Sequence, residues 1–430
     1  MTQVARWLMA LAAVAESLVS IPLLREHARA LTASSTIFEQ RVGESRGVRH
    51  AALYLGVPPQ RALVVIDTAS DWTAVVANSC KTCGNHTDPG YDAAKSTAAA
   101  YDNCTSFSQC FLCDSARAAC EVQRSYVDGS GWAGAVVTDL AYIGRFDGES
   151  SGEIMRTNGV RLTVAAQLSA SGPIVTMAEN GIIGFSKAST TFLAALVAQQ
   201  RIQRNAFSLC FSASGGTLVL GGSDPSLFAP QSAATGTVAM LSSTKYLIPL
   251  VDVLVGSTST AATSSINSAG LSTLVDSGSS HSYLPNAVRA AFLEAFAAAT
   301  NTVFSDTTSY SPDQVASWPT LTLVFAGTAT RVQLELSPAK YTFLTANGQY
   351  KLGLHFAASG VVGANAMVDV NVLFDLDAQQ VGFTRANCTL TTETTSVLTR
   401  AITPAPSSSG VPSWRACRLV LAVCVLFSTL

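Results

Sequence analysis

Hydrophobic residues in this chain fall into short runs rich in Val, Leu, Ile and Thr, separated by glycine and polar residues. Leu63-Val64-Val65-Ile66 and Leu274-Val275 are two such runs, and each leads directly into an aspartate. Short runs with β-branched residues, bounded by turn-forming residues, are typical of strands. The pattern therefore predicts a mainly β protein. No internal apolar run reaches the ~18–20 residues that a membrane-spanning helix needs, which excludes a polytopic membrane protein.

Composition and charge narrow the class of protein further. The 430 residues are 48% hydrophobic and 13% charged, a balance that argues against a disordered chain. A chain of this length is expected to form two or three packed units. The net charge is −2 and there is no basic tract, so nothing in the sequence indicates binding to nucleic acid.

The N-terminus has the features of a targeting segment. Residues 7–15 form a short apolar run that follows Arg6 and closes on Ala13-Val14-Ala15, a small-x-small pattern. These features predict a signal peptide over residues 1–15. The alternative is that the same run forms an apolar first helix of the folded body.

Cysteines and glycosylation motifs also favour export. An even number of cysteines is typical of proteins that fold in an oxidising compartment. The body of the chain has eight: Cys80, Cys83, Cys104, Cys110, Cys113, Cys120, Cys210 and Cys388. The two C-x-x-C pairs leave a zinc site as an alternative, although their separation is slightly outside that of zinc ribbons. Asn-x-Thr motifs predict glycosylation at Asn85, Asn103 and Asn387.

The C-terminus follows a three-part pattern. Small residues at 407–410 precede a spacer at 411–418 that contains two arginines, and an apolar tail, 419–430, ends the chain. This order is that of a glycosylphosphatidylinositol (GPI) attachment signal. We expect a Ser/Thr/Pro stalk over residues 391–410 and a GPI-attachment signal over 411–430. A short tail anchor and an uninformative apolar end are the alternatives.

An internal repeat is the most informative feature of the body. Each copy is an apolar strand that runs into an aspartate, a hydroxyl residue, a tiny residue and a second hydroxyl residue. The two copies are Asp67-Thr68-Ala69-Ser70 and Asp276-Ser277-Gly278-Ser279. Each is followed by a glycine-flanked pair of β-branched residues, Gly181-Ile182-Ile183-Gly184 and Gly360-Val361-Val362-Gly363. One Asp-Ser-Gly alone indicates only a turn after a strand, but two copies with matching downstream strands indicate a duplicated unit.

The two aspartates of the repeat can act together as a catalytic pair. Two strand tips that meet face to face bring the carboxylates of Asp67 and Asp276 together, and the nearby hydroxyls of Thr68, Ser70, Ser277 and Ser279 can hold them. Like charges this close cannot both ionise, so the pair shares one proton. The ionised carboxylate can then activate a water molecule while the protonated one polarises a carbonyl group. This chemistry requires neither a metal ion nor another cofactor.

With these motifs the sequence resembles the pepsin-like aspartic peptidases, over about residues 51–388. The resemblance also rests on the segment 54–60 before the first aspartate, the Tyr126-Val127-Asp128-Gly129-Ser130 segment, the strand pair at 207–222 and the closing strands near 374–383. It implies a bilobal β fold with a cleft between two pseudo-twofold-related lobes. It also implies that Asp67 and Asp276 are catalytic and that Tyr126, Gly129 and Ser130 belong to a substrate-covering flap.

The resemblance extends to domain organisation and disulfides. It implies a propeptide over residues 16–48, an N-terminal lobe over 49–225 and a C-terminal lobe over 226–390. The cysteine cluster resembles that of nepenthesin-type and plasmepsin-type members. Cys210 and Cys388 resemble an interlobe bridge, whereas the pairing of the other six cysteines stays open.

Two departures from the family pattern concern the first motif. Ala69 stands where the family has glycine, and its methyl group could crowd the catalytic water. Ala74 stands where the family has a tryptophan that bonds the flap tyrosine, and Trp72 or Trp132 could replace it. We also considered His281 as part of a His–Asp pair, but no Gly-x-Ser-x-Gly elbow accompanies it.

The sequence thus predicts a secreted or membrane-anchored aspartic endopeptidase that acts on polypeptides as a monomer. Its expected location is the secretory pathway, at the cell surface, outside the cell or in the lumen of an endomembrane compartment. Because Ala69 and Ala74 depart from the family pattern, the alternative is a catalytically silent relative that binds peptides or proteins. The preferred cleavage site is not predicted, because loop positions determine it.

Overall fold

The structure is a computed structural model that describes residues 19–24, 47–105, 110–114, 119–143, 155, 159–213, 215–224, 236–261 and 270–388. The predicted signal peptide, stalk and GPI-attachment signal lie outside the described residues, as does most of the predicted propeptide. Among the described residues, no helix combines the length and apolar character needed to cross a membrane.

The mainly β fold expected from the sequence is confirmed. The strands are β1 (Val19–Leu24), β2 (His50–Leu55), β3 (Gln60–Asp67), β4 (Ala74–Val76), β5 (Ala100–Tyr101), β6 (Leu112–Asp114), β7 (Ala119–Ser125), β8 (Gly131–Ile143), β9 (Val160–Ser171), β10 (Gly181–Gly184), β11 (Ala206–Ser212), β12 (Gly215–Leu220), β13 (Gly236–Ala239), β14 (Leu247–Val255), β15 (Thr258–Ser259), β16 (Leu271–Val275), β17 (Ser282–Pro285), β18 (Leu321–Phe325), β19 (Val332–Leu336), β20 (Thr342–Leu344), β21 (Tyr350–Leu352), β22 (Leu354–Ala357), β23 (Gly360–Val362), β24 (Val370–Asp375) and β25 (Gln380–Arg385). The α-helices are α1 (Phe192–Ala198), α2 (Arg289–Thr300), α3 (Pro312–Ala316) and α4 (Pro338–Tyr341). Single 3₁₀ turns occur at Ala93–Lys95, Gly172–Thr176 and Asn286–Val288.

The described strands form two large sheets, and β20 and β21 form a separate two-stranded sheet. The first runs in the order β13-β25-β24-β11-β12-β1-β2-β3-β10-β4-β9-β8-β7-β6, with β5 beside β8. The second runs β19-β18-β14-β16-β23-β17-β22, with β15 beside β14. β13, β24 and β25 come from the C-terminal half of the chain but pair within the first sheet. The two halves of the chain are therefore joined through backbone hydrogen bonds.

Each copy of the sequence repeat builds the same local arrangement. β10 runs parallel to β3 with Gly184 opposite Asp67, and β23 runs parallel to β16 with Val362 opposite Val275. The glycine-flanked β-branched pairs therefore lie beside the two aspartate strands, as their repetition indicated. The strand residues next to the two aspartate loops are fully buried: Ile66, Ile183, Val275 and Val362. Close packing in the core therefore holds both strand ends in place.

An aromatic cluster packs where the two halves of the chain meet. The rings of Phe207 and Phe374 stack with their centroids 4.6 Å apart. Phe185 packs against Phe207, and Tyr246 packs against both rings. The Tyr246 hydroxyl donates a 2.8 Å hydrogen bond to the carbonyl of Phe185. Because Phe185 directly follows β10, this cluster supports the strand that flanks Asp67.

All eight cysteines of the body form disulfides. The pairs are Cys80–Cys83, Cys104–Cys113, Cys110–Cys120 and Cys210–Cys388. The bridge between Cys210 and Cys388 is thus confirmed, and the pairing that the sequence left open is resolved. Cys80 and Cys83 are bonded to each other, whereas Cys110 is bonded to Cys120 and Cys113 to Cys104. With these bonds in place, neither C-x-x-C pair has the free thiolates of a zinc ligand set. Four disulfides suit an oxidising compartment.

Candidate active site

Asp67 and Asp276 lie at equivalent places in the two sheets. Asp67 is the last residue of β3, and Asp276 directly follows β16. Their side chains are only 7% and 8% exposed. The backbone NH of Asp276 donates to the carbonyl of Val362, which fixes the second strand tip to β23.

Reciprocal hydrogen bonds lock the two aspartate loops together. The Thr68 hydroxyl donates to the carbonyl of Val275 at 3.0 Å, and the Ser277 hydroxyl donates to the carbonyl of Ile66 at 2.7 Å. The Ser277 NH donates to the Thr68 hydroxyl at 3.0 Å, and the Thr68 NH donates to the Ser277 hydroxyl at 3.2 Å. Because both residues are 1% exposed, this pair fixes the distance between the loops without competition from water.

The Asp67 carboxylate accepts hydrogen bonds from its own loop. The NH of Ala69 donates to Oδ1 at 2.8 Å, and the NH of Ser70 donates to the same oxygen at 3.2 Å. The Ser70 hydroxyl donates to Oδ2 at 2.6 Å. Both carboxylate oxygens are therefore held in one orientation.

The Asp276 carboxylate has matching partners. The NH of Gly278 donates to Oδ1 at 2.9 Å, and the Ser279 hydroxyl donates to Oδ2 at 2.7 Å. Gly278 also faces the opposite carboxylate, since a Cβ atom on it would lie 2.5 Å from Cγ of Asp67. The two loops are thus packed so closely that the tiny residue of one motif touches the aspartate of the other.

Electrostatics at the site favour a shared proton. Burial and then the charge of Asp276 raise the pKa of Asp67, and the hydrogen bonds from Ser70 and Ala69 only partly offset this rise. Burial also raises the pKa of Asp276, against the lowering effect of the Ser279 and Gly278 donors. The pair therefore retains one proton at pH values where an ordinary aspartate would be ionised.

The segment predicted as a flap is the hairpin between β7 and β8. At its turn the NH and hydroxyl of Ser130 donate to the two carboxylate oxygens of Asp128, at 2.8 and 2.9 Å. Gly129 has a φ of +84°, a left-handed conformation that glycine adopts without strain. The NH of Tyr126 donates to the carbonyl of Ser130 at 2.8 Å, which closes the hairpin.

A hydrogen-bonded chain connects this hairpin to Asp67. The indole Nε1 of Trp132 donates to the hydroxyl of Tyr126 at 3.0 Å. That hydroxyl lies 3.5 Å from the hydroxyl of Ser70, which in turn donates to Asp67. Of the two tryptophans considered from the sequence, Trp132 is the one that donates this hydrogen bond to Tyr126. Trp72 is buried in the same hydrophobic cluster, and the Arg124 guanidinium lies 5.8 Å from its ring centroid.

The other residues singled out in the sequence are three glycosylation candidates and His281. Asn85, Asn103 and Asn387 are exposed, as glycosylation would require, and their modification stays a prediction. His281 contacts a second histidine, His355. This contact could not be predicted from the sequence, because the two residues are far apart in the chain.

Comparison with known proteins places this fold and site in a family. Residues 50–386 match the family model described as eukaryotic aspartyl protease. The chain belongs to this family. The match covers both aspartate loops and the flap hairpin, in agreement with the resemblance seen in the sequence.

Several curated proteins are similar to this chain. Aspartic protease 5 of Toxoplasma gondii is 25% identical over 78% of this chain and 36% of its own length. Plasmepsin V of Plasmodium falciparum is 24% identical over 40% of this chain and 29% of its own length. A probable aspartic-type endopeptidase, OPSB of Arthroderma benhamiae, is 27% identical over 60% of this chain and 50% of its own length. The chain thus matches half or less of each relative.

Replacing Trp132 by Phe tests the chain of hydrogen bonds to the flap. The change removes one donor to Tyr126, and a hydrogen bond of this kind contributes about 1 kcal/mol. We expect kcat/KM for a peptide substrate to fall roughly fivefold to tenfold. Trp318→Phe is the matched control, because the indole nitrogen of this buried residue has no hydrogen-bond partner among the described residues. Equal kcat/KM values for the two variants would contradict the assignment.

Proposed function

We propose that this protein is an aspartic endopeptidase that hydrolyses peptide bonds with a water molecule activated by Asp67 and Asp276. The observation that carries the proposal is the pair of buried carboxylates on locked, equivalent loops. No residue of the described site offers an activated serine or cysteine nucleophile in their place. The hydroxyls of Ser70 and Ser279 are instead engaged by the carboxylates.

The geometry supports different roles for the two carboxyl groups, one as general base and the other as general acid. In the active state one is ionised and accepts a proton from the water molecule as it attacks the scissile carbonyl carbon. The protonated partner donates to the carbonyl oxygen, which becomes a hydroxyl of the tetrahedral intermediate. The carboxyl group that took the proton from water then gives it to the nitrogen of the leaving amine as the C–N bond breaks. The other carboxylate takes a proton back from a hydroxyl of the intermediate, which becomes the product carboxyl group, so the dyad again holds one proton.

The flap hairpin would cover the substrate in this scheme. Burial raises the pKa of Tyr126, so its phenol stays protonated over the working pH range. Ser70 uses its only hydrogen on Asp67, and Tyr126 can therefore donate towards Ser70. The proposed substrates are polypeptides. Both aspartates come from one chain, which is why we propose that the enzyme works as a monomer.

The pH dependence of cleavage tests the shared proton. A raised pKa means that the dyad keeps its proton up to a higher pH than an ordinary aspartate, and activity is lost as the pH rises through that value. Protonation of the second carboxylate would also abolish activity at strongly acid pH, so this step sets the lowest acid limit that the site can have. We expect a bell-shaped profile of kcat/KM with its maximum at acid pH, measured with an internally quenched peptide. A maximum above neutral pH would contradict the mechanism.

The proposed location is the secretory pathway, with the enzyme secreted or tethered to a membrane by a lipid at its C-terminus. Four disulfides support an oxidising compartment, and the sequence pattern at 407–430 supports the lipid. Treating intact cells with a phosphatidylinositol-specific phospholipase should release the protein into the medium. Retention on the cells with the tail peptide still detectable by mass spectrometry would reject the lipid anchor.

A further inference from the structure

Two histidines and an aspartate form a row beside the second aspartate loop. Nδ1 of His281 lies 3.0 Å from Nε2 of His355. Nδ1 of His355 lies 2.6 Å from Oδ1 of Asp306. His281 belongs to the loop that begins at Asp276, whereas His355 lies on β22 and Asp306 lies between α2 and α3. The row therefore connects three separate parts of the chain.

The surroundings of the row contain few other charges. Phe343 of β20 stacks on His281 at a centroid distance of 5.1 Å, and Tyr283 of β17 packs against His355 at 5.4 Å. From the turn after β23, the neutral amide of Asn365 approaches the same region, near Gly353. The titratable and charged groups that act on the row or on Tyr283 are Asp306, Asp276 and the flap residue Asp128. Arg289 lies over the ring of Phe356, the residue that follows His355. Because side chains alternate along a strand, Phe356 and His355 point to opposite faces of β22.

The row can hold one added proton without losing a hydrogen bond. When both histidines are neutral, His355 donates from Nδ1 to Asp306 and accepts at Nε2 from Nδ1–H of His281. When His355 is protonated, it donates to both neighbours, and the hydrogen of His281 is carried on Nε2 instead. The facing nitrogens of His281 and His355 carry a single hydrogen between them in both states.

A second added proton has a different effect. Nε2 of His355 and Nδ1 of His281 would then both carry a hydrogen, and two imidazolium rings would face each other at 3.0 Å. The bond between the rings cannot form in that state, and the like charges repel. Burial and then the charge of His355 accordingly lower the pKa of His281 to about 4.

His281 is tied tightly to the residues that hold Asp276. Ser279, two residues earlier, donates its hydroxyl to Asp276, and its carbonyl accepts from the NH of Ala364. Gly363 packs so closely that a Cβ atom on it would lie 2.1 Å from the carbonyl oxygen of His281 and 2.9 Å from that of Ser279. With this little space, a movement of His281 must also shift Ser279.

We propose that His281, His355 and Asp306 are positioning residues that hold the Asp276 loop, and that a second proton on the histidine pair releases it and so sets the acid limit of the site. The part of this inference that concerns catalysis rests on the proposed peptidase function. The part that concerns the loop does not. Acid inactivation then begins at the histidine row, before the enzyme as a whole unfolds.

Replacing His355 by Gln tests the row directly. The amide oxygen of Gln can accept from protonated His281 and carries no charge, so the charge of His355 no longer opposes the protonation of His281. We expect the NMR titration midpoint of His281 to move upward by at least about one pH unit, towards its ordinary value. His86→Gln is the control and should leave the His281 midpoint unchanged, because among the described residues His86 bonds the backbone carbonyls of Met177 and Cys83 and not the row. An unchanged His281 midpoint in His355→Gln would overturn the proposal.

Two further readouts test the connection to the loop. The backbone amide shift of Ser279 should follow the titration of His281 in the unaltered protein, whether or not the protein cleaves peptides. The acid limb of kcat/KM should extend to lower pH in His355→Gln, with the ratio of activity at pH 3 to that at pH 5 rising about fivefold over the unaltered enzyme. A Ser279 amide shift that does not change as His281 titrates would contradict the positioning role. So would identical acid limbs of kcat/KM in His355→Gln and the unaltered enzyme, if both are active. Absence of cleavage in every variant would refute the proposed function but leave the NMR test of the row intact.

Discussion

Replacing Asp276 by Asn is expected to lower kcat/KM by at least about 10³-fold, because the dyad loses the carboxylate that is needed to share a proton with Asp67. Asp67→Asn should have an equally large effect. Asn keeps the size and most hydrogen bonds of the aspartate, so the fold should survive. Asp313→Asn, in the exposed first turn of α3, is the matched control and should retain full activity. Cleavage by Asp276→Asn at a rate similar to the control would refute the mechanism.

The same variants are expected to be more stable than the unaltered protein at neutral pH. A pKa that folding raises means that the folded state binds the proton more tightly than the unfolded state, so stability falls as the pH rises above the ordinary aspartate range. Asn carries no charge and escapes this loss. We expect Asp67→Asn to gain ~1 kcal/mol or more at pH 7, since one unit of pKa shift corresponds to about 1.4 kcal/mol. Denaturant unfolding at pH 7 and pH 4 measures the gain, which should shrink at the lower pH. Equal stability of Asp67→Asn and unaltered protein at both pH values would contradict the raised pKa.

Gly278→Ala and Ala69→Gly are expected to change kcat in opposite directions. A methyl group at 278 would approach Cγ of Asp67 to 2.5 Å, closer than such contacts are found, so the carboxylate must shift. Displacement of about 1 Å at a reacting group can cost roughly 100-fold in rate, and we expect a loss of that order for Gly278→Ala. From the repeat we infer that Ala69 carries its methyl group in the matching position towards Asp276. Its removal should therefore raise kcat, by roughly tenfold at most.

The pair of substitutions also distinguishes the two functions considered from the sequence. If the natural protein is silent because of Ala69, Ala69→Gly should create cleavage activity that the unaltered protein lacks. If the protein is active, the same change should only increase an existing rate. Thermal unfolding of both variants serves as the control for folding. An unchanged kcat in Ala69→Gly would show that the loop already accommodates the methyl group, and an unchanged kcat in Gly278→Ala would contradict the close packing of the two loops.

The sequence predicted those parts of the site that depend on local chain geometry. Asp67 and Asp276 could be identified because each ends an apolar strand, and a strand followed by a tight turn is encoded within a few residues. The Asp128-Gly129 pair indicated the flap turn for the same reason. The repeated β-branched pairs indicated the neighbouring strands, since a parallel partner of this kind is buried on both faces.

Contacts between distant segments could not be predicted in this way. The pairing within the cysteine cluster is one of fifteen arrangements that the spacing allows. Trp132 could replace the missing family tryptophan only because the hairpin brings it back beside Tyr126, and the sequence left Trp72 as an equal candidate. His355 and Asp306 gave no signal at all, because their relation to His281 depends on the register of β22 against β17.

Titration with a statine-type inhibitor, which mimics the tetrahedral intermediate, tests the central claim most directly. The purified protein is assayed at acid pH with an internally quenched peptide while the inhibitor is increased. Our account predicts cleavage that falls to zero at one inhibitor molecule per chain, and no such cleavage by Asp276→Asn. Absence of cleavage, or cleavage that persists when the inhibitor is in excess, would contradict the assignment of Asp67 and Asp276 as the catalytic pair.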